Sequence, residues 1–263
     1  VPASLSVTSG SSLTIALSWT AAGNAAGTVF ELQAATDAAT FLAASTGTAT
    51  TVLLPGLQPG TTHTFRVRAF NGDGAASSFS AVVSTPTLPP APGMPGTPSA
   101  TDASTDTVSW AWAAAAGATS YEVRWASNPA EVIASTGAAV ITFMALGPNA
   151  ASGIAVRGLN AVGAGPLSAS ATRYTLARAP TGLAVVSVGS AVIGVSWSGD
   201  GDPAGTQFEV QVATEGGAFG AYSTTTALNL VVKGLQPSAT YSLRVRAFNA
   251  EGVDTAFSGT VST

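Results

Sequence analysis

No cysteine occurs in the 263 residues, so neither a disulfide nor a thiolate metal site contributes to the fold. Charge is nearly as scarce: charged residues make up 8% of the chain, against roughly 25% in ordinary globular proteins. There is one lysine, Lys233, and one histidine, His63. The net charge is −4 and no basic run exists, which excludes the Lys/Arg footprint that nucleic-acid binding needs. No apolar stretch reaches the ~18 residues of a transmembrane helix, and helical periodicity is missing throughout. The lone histidine has no Ser/His/Asp grouping around it in sequence, so acid–base or nucleophilic catalysis lacks a partner set. No enzyme activity, cofactor or metal is expected. The chain starts at Val1 without Met or signal peptide, as a processed product or a piece of something longer would.

What the chain does have is repetition. LQPGTTHTFRVRAFNGDG (57–74), LGPNAASGIAVRGLNAVG (146–163) and LQPSATYSLRVRAFNAEG (235–252) are copies of one motif, with Leu57, Leu146 and Leu235 spaced 89 residues apart. Trp19, Trp110 and Trp197 precede the copies, and an aromatic follows each tryptophan by eleven residues: Phe30, Tyr121 and Phe208. A period this long means whole domains in tandem rather than a solenoid of small units.

Within a repeat, LTIALSW (13–19), VFELQA (29–34) and THTFRVRAF (62–70) alternate apolar and polar residues, with Gly, Pro, Asn and Asp between them. Short alternating runs separated by turn signals predict an all-β sandwich. Asn71, Asn160 and Asn249 each close the late strand, with Gly74, Gly163 and Gly252 three residues on, at turn positions suited to positive φ.

This pattern resembles the fibronectin type III domain. The second-strand tryptophan, the third-strand aromatic, the Leu-x-Pro turn, the aliphatic strand after it and the Asn-x-x-Gly turn carry the resemblance, which covers essentially the whole chain. It implies three immunoglobulin-like sandwiches in a rod: 1–87, 88–176 (with a Pro-rich leading linker over 86–98) and 177–263. The expected core is Trp19, Trp110, Trp197, Phe30, Tyr121, Phe208, Leu57, Leu146, Leu235 and Tyr241. The family usually places a tyrosine six residues after the turn leucine, its hydroxyl bonded to the corner backbone. Tyr241 keeps it, whereas His63 and Ser152 replace it. His63 reads as a stand-in donor. Ser152 is too short, so the middle corner is expected to be held differently and to show low hydrogen-exchange protection over 146–153.

The first junction, STPTLPPAPGMPGTPS (84–99), has six prolines and reads as a semi-rigid spacer. The second, RYTLARAPTG (173–182), has one.

By the period-2 rule, Arg66 and Arg68 point outward from their strand and Glu31 from its neighbour. The arrangement recurs as Glu122 with Arg157 and Arg124, and as Glu209 with Arg244 and Arg246. Cross-strand ion pairs are the reading we take, with a patch for acidic sugars as the alternative, because a carboxylate recurs beside the arginines each time. Asp200-Gly-Asp202 reads as a solvated turn rather than the start of a Ca²⁺ site, which needs 6–8 oxygens. Asn71-Gly72-Asp73 reads as a turn. It lies where some members of the family carry Arg-Gly-Asp, but lacks the arginine. Trp112 and Trp125 occur only in the middle repeat and read as core or interdomain packing, with a glycan platform as the alternative.

The outside of these sandwiches must be mostly Ala, Gly, Ser, Thr and Val. Soluble β proteins usually guard edges with charge, so the surface is expected to be covered by other copies or other proteins, or by O-linked sugar. The abundance of Ala and Gly, with Arg over Lys eight to one, suits a GC-rich bacterial genome. The expected function is a non-enzymatic, extracellular structural or adhesion protein of a bacterial surface filament, sheath or appendage. Its partners would be itself or other surface proteins, with no nucleic acid and no membrane span. The alternatives are a spacer or carbohydrate-binding part of a secreted polysaccharide-degrading enzyme, with polysaccharide as partner, and a phage tail or fibre component.

Overall fold

The computed structural model describes residues 1–36 and 40–263. All regular structure among these residues is β. No helix long and apolar enough to cross a membrane occurs among them.

Alternation builds each strand. In THTFRVRAF, residues His63, Phe65, Val67 and Ala69 are buried and the residues between them are half-covered. In YSLRVRAF the buried set is Tyr241, Leu243, Val245 and Ala247. Burying a side chain such as Phe65 or Leu243 contributes about 1.5–3 kcal/mol, so a register slip of one residue, which would turn this set outward, is strongly opposed.

Seven strands come first: β1 (Ala3–Gly10), β2 (Ile15–Thr20), β3 (Val29–Thr36), β4 (Leu42–Gly47), β5 (Thr51–Leu54), β6 (Thr62–Phe70) and β7 (Val83–Pro86). They form sheets of order β1-β2-β5 and β4-β3-β6-β7. The middle stretch holds β8 (Ser99–Ala103), β9 (Val108–Ala111), β10 (Ser120–Trp125), β11 (Asn128–Thr136), β12 (Val140–Phe143), β13 (Ala151–Asn160), β14 (Gly163–Leu167) and β15 (Ala171–Tyr174). Its sheets run β12-β9-β8 and β11-β10-β13-β14, with β15 also on β13. The last stretch holds β16 (Thr181–Val188), β17 (Val192–Ser198), β18 (Gln207–Thr214), β19 (Gly220–Thr225), β20 (Asn229–Lys233), β21 (Tyr241–Phe248) and β22 (Val261–Ser262). Its sheets run β16-β17-β20 and β19-β18-β21-β22. The described pairings are antiparallel.

Each sheet pair closes on its own apolar cluster. Trp19 meets Phe30 edge-on at 6.0 Å and Trp197 meets Phe208 at 5.8 Å. In the middle cluster Trp110 is fully buried, and it is Trp112 that meets Tyr121, at 5.5 Å. Leu57, Leu146 and Leu235 lie at the rims of these clusters, half-buried, rather than at their centres. By packing, the chain divides into two compact units, residues 1–93 with 159–165 and residues 94–158 with 166–263.

Candidate functional site

Three features recur or contrast between the sheet pairs: an arginine face, a strand corner and a polar joint. The arginine face comes from register. Glu31 lies opposite Arg68 and Gln33 opposite Arg66 on β3 and β6. Glu209 lies opposite Arg246 and Gln211 opposite Arg244 on β18 and β21. Arg68 donates to Glu31 at 2.6 Å, Arg66 donates through Nε and Nη2 to Gln33 Oε1 at 3.0 and 2.8 Å, and Gln33 donates back to Glu31 at 3.0 Å. The third pair repeats this with Arg246–Glu209 at 2.8 Å and Arg244–Gln211 at 3.0 and 2.7 Å. Arg246 also pairs with Asp254.

Phenylalanines cover these arginines. The Arg66 guanidinium lies 4.1 Å from the Phe41 ring centre and 3.9 Å from that of Phe79, and Arg68 lies 4.8 Å from Phe79 and 5.1 Å from Phe70. In the third pair Arg244 sits between Phe219 and Phe257 at 4.1 and 3.8 Å, and Arg246 between Phe257 and Phe248 at 4.9 and 5.1 Å. Each guanidinium is therefore held at its edge by a side-chain oxygen and on its faces by ring electrons.

The carboxylates of these cross-strand pairs are thus covered: Glu31 is 9% exposed and Glu209 is 7%. The hydrogen bond from Gln33, with help from Arg68 and Arg66, holds the Glu31 carboxyl below its ordinary value against the opposing effect of burial. Burial pushes Glu209 up, but Gln211, Arg246 and Arg244 outweigh it and its carboxyl is lowered too.

The middle pair solves the same problem differently. Arg124 takes the place of the glutamine, on the strand of Glu122 and two residues from it. Both Arg124 and Arg157 donate to Glu122 Oε2 at 2.7 Å, and these bonds, Arg124 first, lower its carboxyl. Arg124 is buried rather than outward-facing, because its other amino group donates to the carbonyls of Pro129 and Ala130 at 2.7 and 2.9 Å.

At the corners, the Tyr241 hydroxyl accepts the Gln236 N–H at 2.7 Å. His63, buried, takes that place in the first pair. Its Nε2 lies 2.9 Å from Thr61 Oγ1 and 3.5 Å from the Gln58 carbonyl, and its Nδ1 lies 3.2 Å from Thr36 Oγ1. Ser152, fully buried, turns away from the corner and accepts the Trp110 indole N–H at 3.3 Å. The indole nitrogens of Trp19, Trp112 and Trp197 have no partner among the described residues.

A threonine past the last strand ties the middle corner instead. Thr175 Oγ1 donates to the Gly147 carbonyl at 2.8 Å and accepts the Ala150 N–H at 2.8 Å. Thr87 does the same in the first pair, donating to Gln58 O at 2.6 Å and accepting from Thr61 N at 3.2 Å.

The polar joint lies inside the second unit, where the middle corner meets the turns of the third pair. Asn149, at φ 46°, donates through Nδ2 to Thr206 Oγ1 at 2.9 Å, and its Oδ1 accepts the Ala250 N–H at 2.7 Å. Asn249 donates through Nδ2 to the Thr175 carbonyl at 3.2 Å. Glu251 accepts the Tyr174 N–H at 3.1 Å and pairs with Arg173 at 2.5 Å. Asn149 and Asn249 are both buried, so these are hydrogen bonds whose loss would strand polar groups away from water.

The family profile of the fibronectin type III domain matches residues 1–86 and 178–263, together well over half of the chain. The chain belongs to the fibronectin type III family. No curated protein sequence matches it. Among solved structures, the FN1–FN3 domains of chicken CNTN1 are similar over 100% of this chain and 98% of that one, at 18% identity and a TM-score of 0.35.

The remaining candidate residues of this fibronectin type III chain fall as follows. Trp112 is buried against Tyr121 and cannot present a face to sugar, a correction to the platform alternative. Trp125 is half-exposed, lies 5.4 Å from Phe143, and lines an open groove of 370 Å³ with Ser127, Ala151, Gly153 and Thr172. Asp202 closes a turn, its N–H donating to the Gly199 carbonyl at 3.0 Å, and is half-covered: its carboxylate accepts the Arg178 N–H at 3.0 Å, and burial raises its carboxyl despite that bond. The Arg178 guanidinium reaches the Asp200 carbonyl at 3.3 Å, so this loop holds the second junction in place. No group of three or more metal-ligating side chains occurs among the described residues. Asn71 forms a turn, its Oδ1 accepting from Asp73 N and Ala75 N at 3.1 and 2.7 Å.

The phenylalanines and the joint residues Asn149, Thr206 and Glu251 carried no signal in one repeat alone. Phe79 with Phe257 and Thr28 with Thr206 stand at matching places in the first and third repeats, and that recurrence was the available clue.

Proposed function

We propose that the chain is a non-enzymatic, extracellular structural protein of three tandem fibronectin type III domains, 1–87, 88–176 and 177–263, serving a bacterial surface assembly or adhesive appendage. The carrying observation is the polar joint of Asn149, Asn249 and Glu251. It spends buried carboxamides on fixing one sandwich against the next, an investment suited to a load-transmitting or spacing element. The scarcity of surface charge supports self-association, since little like-charge repulsion opposes contact between copies. Negative-stain microscopy with light scattering over a concentration series tests the reading. Filaments, lattices or reversible oligomers are expected. A chain that stays monomeric at high concentration and binds no other surface protein would sink the assembly role.

A second reading, an accessory region of a secreted polysaccharide-degrading enzyme, is favoured by the half-exposed Trp125 beside its groove. Glycan binding that disappears in Trp125→Ala, with unchanged thermal stability, would support it.

A further inference from the structure

The joint inside the second unit has a turn half and a corner half. The turn half is one end of the third sheet pair: Thr206, whose hydroxyl donates to Pro203 O at 2.8 Å and accepts from Asn149; Asn249, whose Nδ2 donates to Thr175 O; and Ala250, whose N–H donates to Asn149 Oδ1. The corner half is a residue at positive φ, Asn149, next to the strand that leaves the middle pair.

The first sheet pair carries the same turn half. Thr28 stands where Thr206 does, and its hydroxyl donates to Ala25 O at 2.8 Å in the same way. Asn71 stands where Asn249 does. Both carboxamide oxygens accept two turn N–H groups, from Asp73 and Ala75 in one case and from Glu251 and Val253 in the other. Gly72 replaces Ala250 and Asp73 replaces Glu251. The turn glycines Gly74 and Gly252 share φ of 80° and 79°, so the two turns have the same backbone shape.

The difference lies in what covers them. Asn249 is 4% exposed, whereas Asn71, Gly72 and Asp73 are exposed and Thr28 half-exposed. Asn71 Nδ2 has no partner among the described residues. An open recess of 590 Å³ lies beside it, lined by Asn24, Ala25, Thr28, Phe70, Asn71 and Gly72 among others.

The corner half also recurs, on the third sheet pair. Ser238 occupies the corner place of Asn149, likewise at positive φ (65°), exposed and ending in a hydroxyl. It borders an open groove of 390 Å³ shared with Gln236, Pro237 and Thr263.

We infer that the Thr28/Asn71–Asp73 end of the first sheet pair docks the Ser238 corner of a second copy of this chain, repeating between molecules the joint seen within the second unit. The hydroxyl of Ser238 meets Thr28 and the Gly72 N–H, and Asn71 Nδ2 meets a backbone carbonyl of the incoming strand end. The contact uses different surfaces on the two copies, so it propagates into rings or open chains rather than closing at a dimer. This deepens the proposed self-assembly and rests on it.

The absence of cysteine makes the test clean. In Gly72→Cys/Ser238→Cys, mild oxidation is expected to give a ladder of covalent oligomers, at least about tenfold more than Gly72→Cys/Thr224→Cys, in which the second cysteine lies on β19 away from the corner. In the cysteine-free chain, Thr28→Val/Asn71→Asp is expected to weaken self-association in sedimentation velocity at least about fivefold, while the melting temperature stays unchanged. Association that persists unchanged in Thr28→Val/Asn71→Asp, with no excess ladder, overturns this docking but leaves assembly through another face. A chain monomeric at all concentrations overturns both.

Discussion

The corner of the third sheet pair and the corner of the middle one do the same job with different atoms. Tyr241 reaches back from inside the sandwich to the Gln236 N–H, so the core itself supplies the acceptor. Ser152 cannot span that distance and satisfies the Trp110 indole instead, while Thr175 clamps the corner from outside. The third pair therefore has a tied corner and an orphan indole at Trp197 Nε1, whereas in the middle pair the equivalent Trp110 indole is partnered, Trp112 Nε1 is the orphan, and the corner is clamped by the departing strand. A sandwich of this kind needs its corner closed, and the polar group that closes it is interchangeable. The expectation of a weak middle corner is revised accordingly, because Asn149 and Ala150 have backbone bonds to Leu176 O and Thr175 Oγ1 at 3.1 and 2.8 Å.

The largest effect that tests this contrast is removal of the tryptophans. Trp197→Ala should destabilise by about 3–5 kcal/mol in urea unfolding. Trp110→Ala should cost more than Trp197→Ala, because it also strips fully buried Ser152 of its partner. Equal costs would mean the Ser152 bond contributes nothing. Next come the hydrogen bonds alone. Ser152→Ala leaves a buried indole N–H without an acceptor, at about 1–3 kcal/mol. Tyr241→Phe leaves a half-buried N–H nearer to water and should sit at or below the bottom of that range, a difference readable in paired melts. Hydrogen exchange over 146–153 should then show protection comparable to that of 235–242. A fast-exchanging middle corner would show that the threonine clamp is loose in solution.

The arginine faces give smaller effects. Phe257→Ala removes two guanidinium contacts in the third pair, each worth about 0.5–1 kcal/mol, and Phe79→Ala should match it in the first. Leu167→Ala, on β14 of the middle pair, should lose no such contribution.

The carboxylates set the pH response. Glu31, Glu122 and Glu209 are all lowered in the folded state from an ordinary value of 4.5. Their contribution is complete above that value and is lost as pH falls through their lowered values. Melting temperature should therefore decline below about pH 4.5. Replacing all three with Gln should flatten the decline, and an unchanged acid limb would assign it to other groups.

Much of the fold is legible in the residues. Alternation in THTFRVRAF and YSLRVRAF picks out Phe65, Val67, Leu243 and Val245 as inward, and the three-fold recurrence of Trp, aromatic and Asn-x-x-Gly points to repeated sandwiches. The glutamate–arginine pairs follow from the same period, since strands paired in register bring Glu31 to Arg68. The rest depended on distance along the chain. Phe41 and Phe79 look like ordinary loop aromatics until β3, β4 and β6 assemble and place Arg66 between their rings. Arg124 reads as outward by parity, yet the chain entering β11 wraps it with two carbonyls and buries it. Trp112 reads as core or interdomain packing with a sugar platform as the alternative, and only its contact with Tyr121 in the buried cluster decides between them. The period-2 geometry of a strand is local, so the sequence by itself determines which side of the sheet a residue takes. Whether that side meets solvent, a ring or a neighbouring sandwich depends on segments tens of residues away, and for Asn149, Glu251 and Arg66 only the tertiary structure decided it.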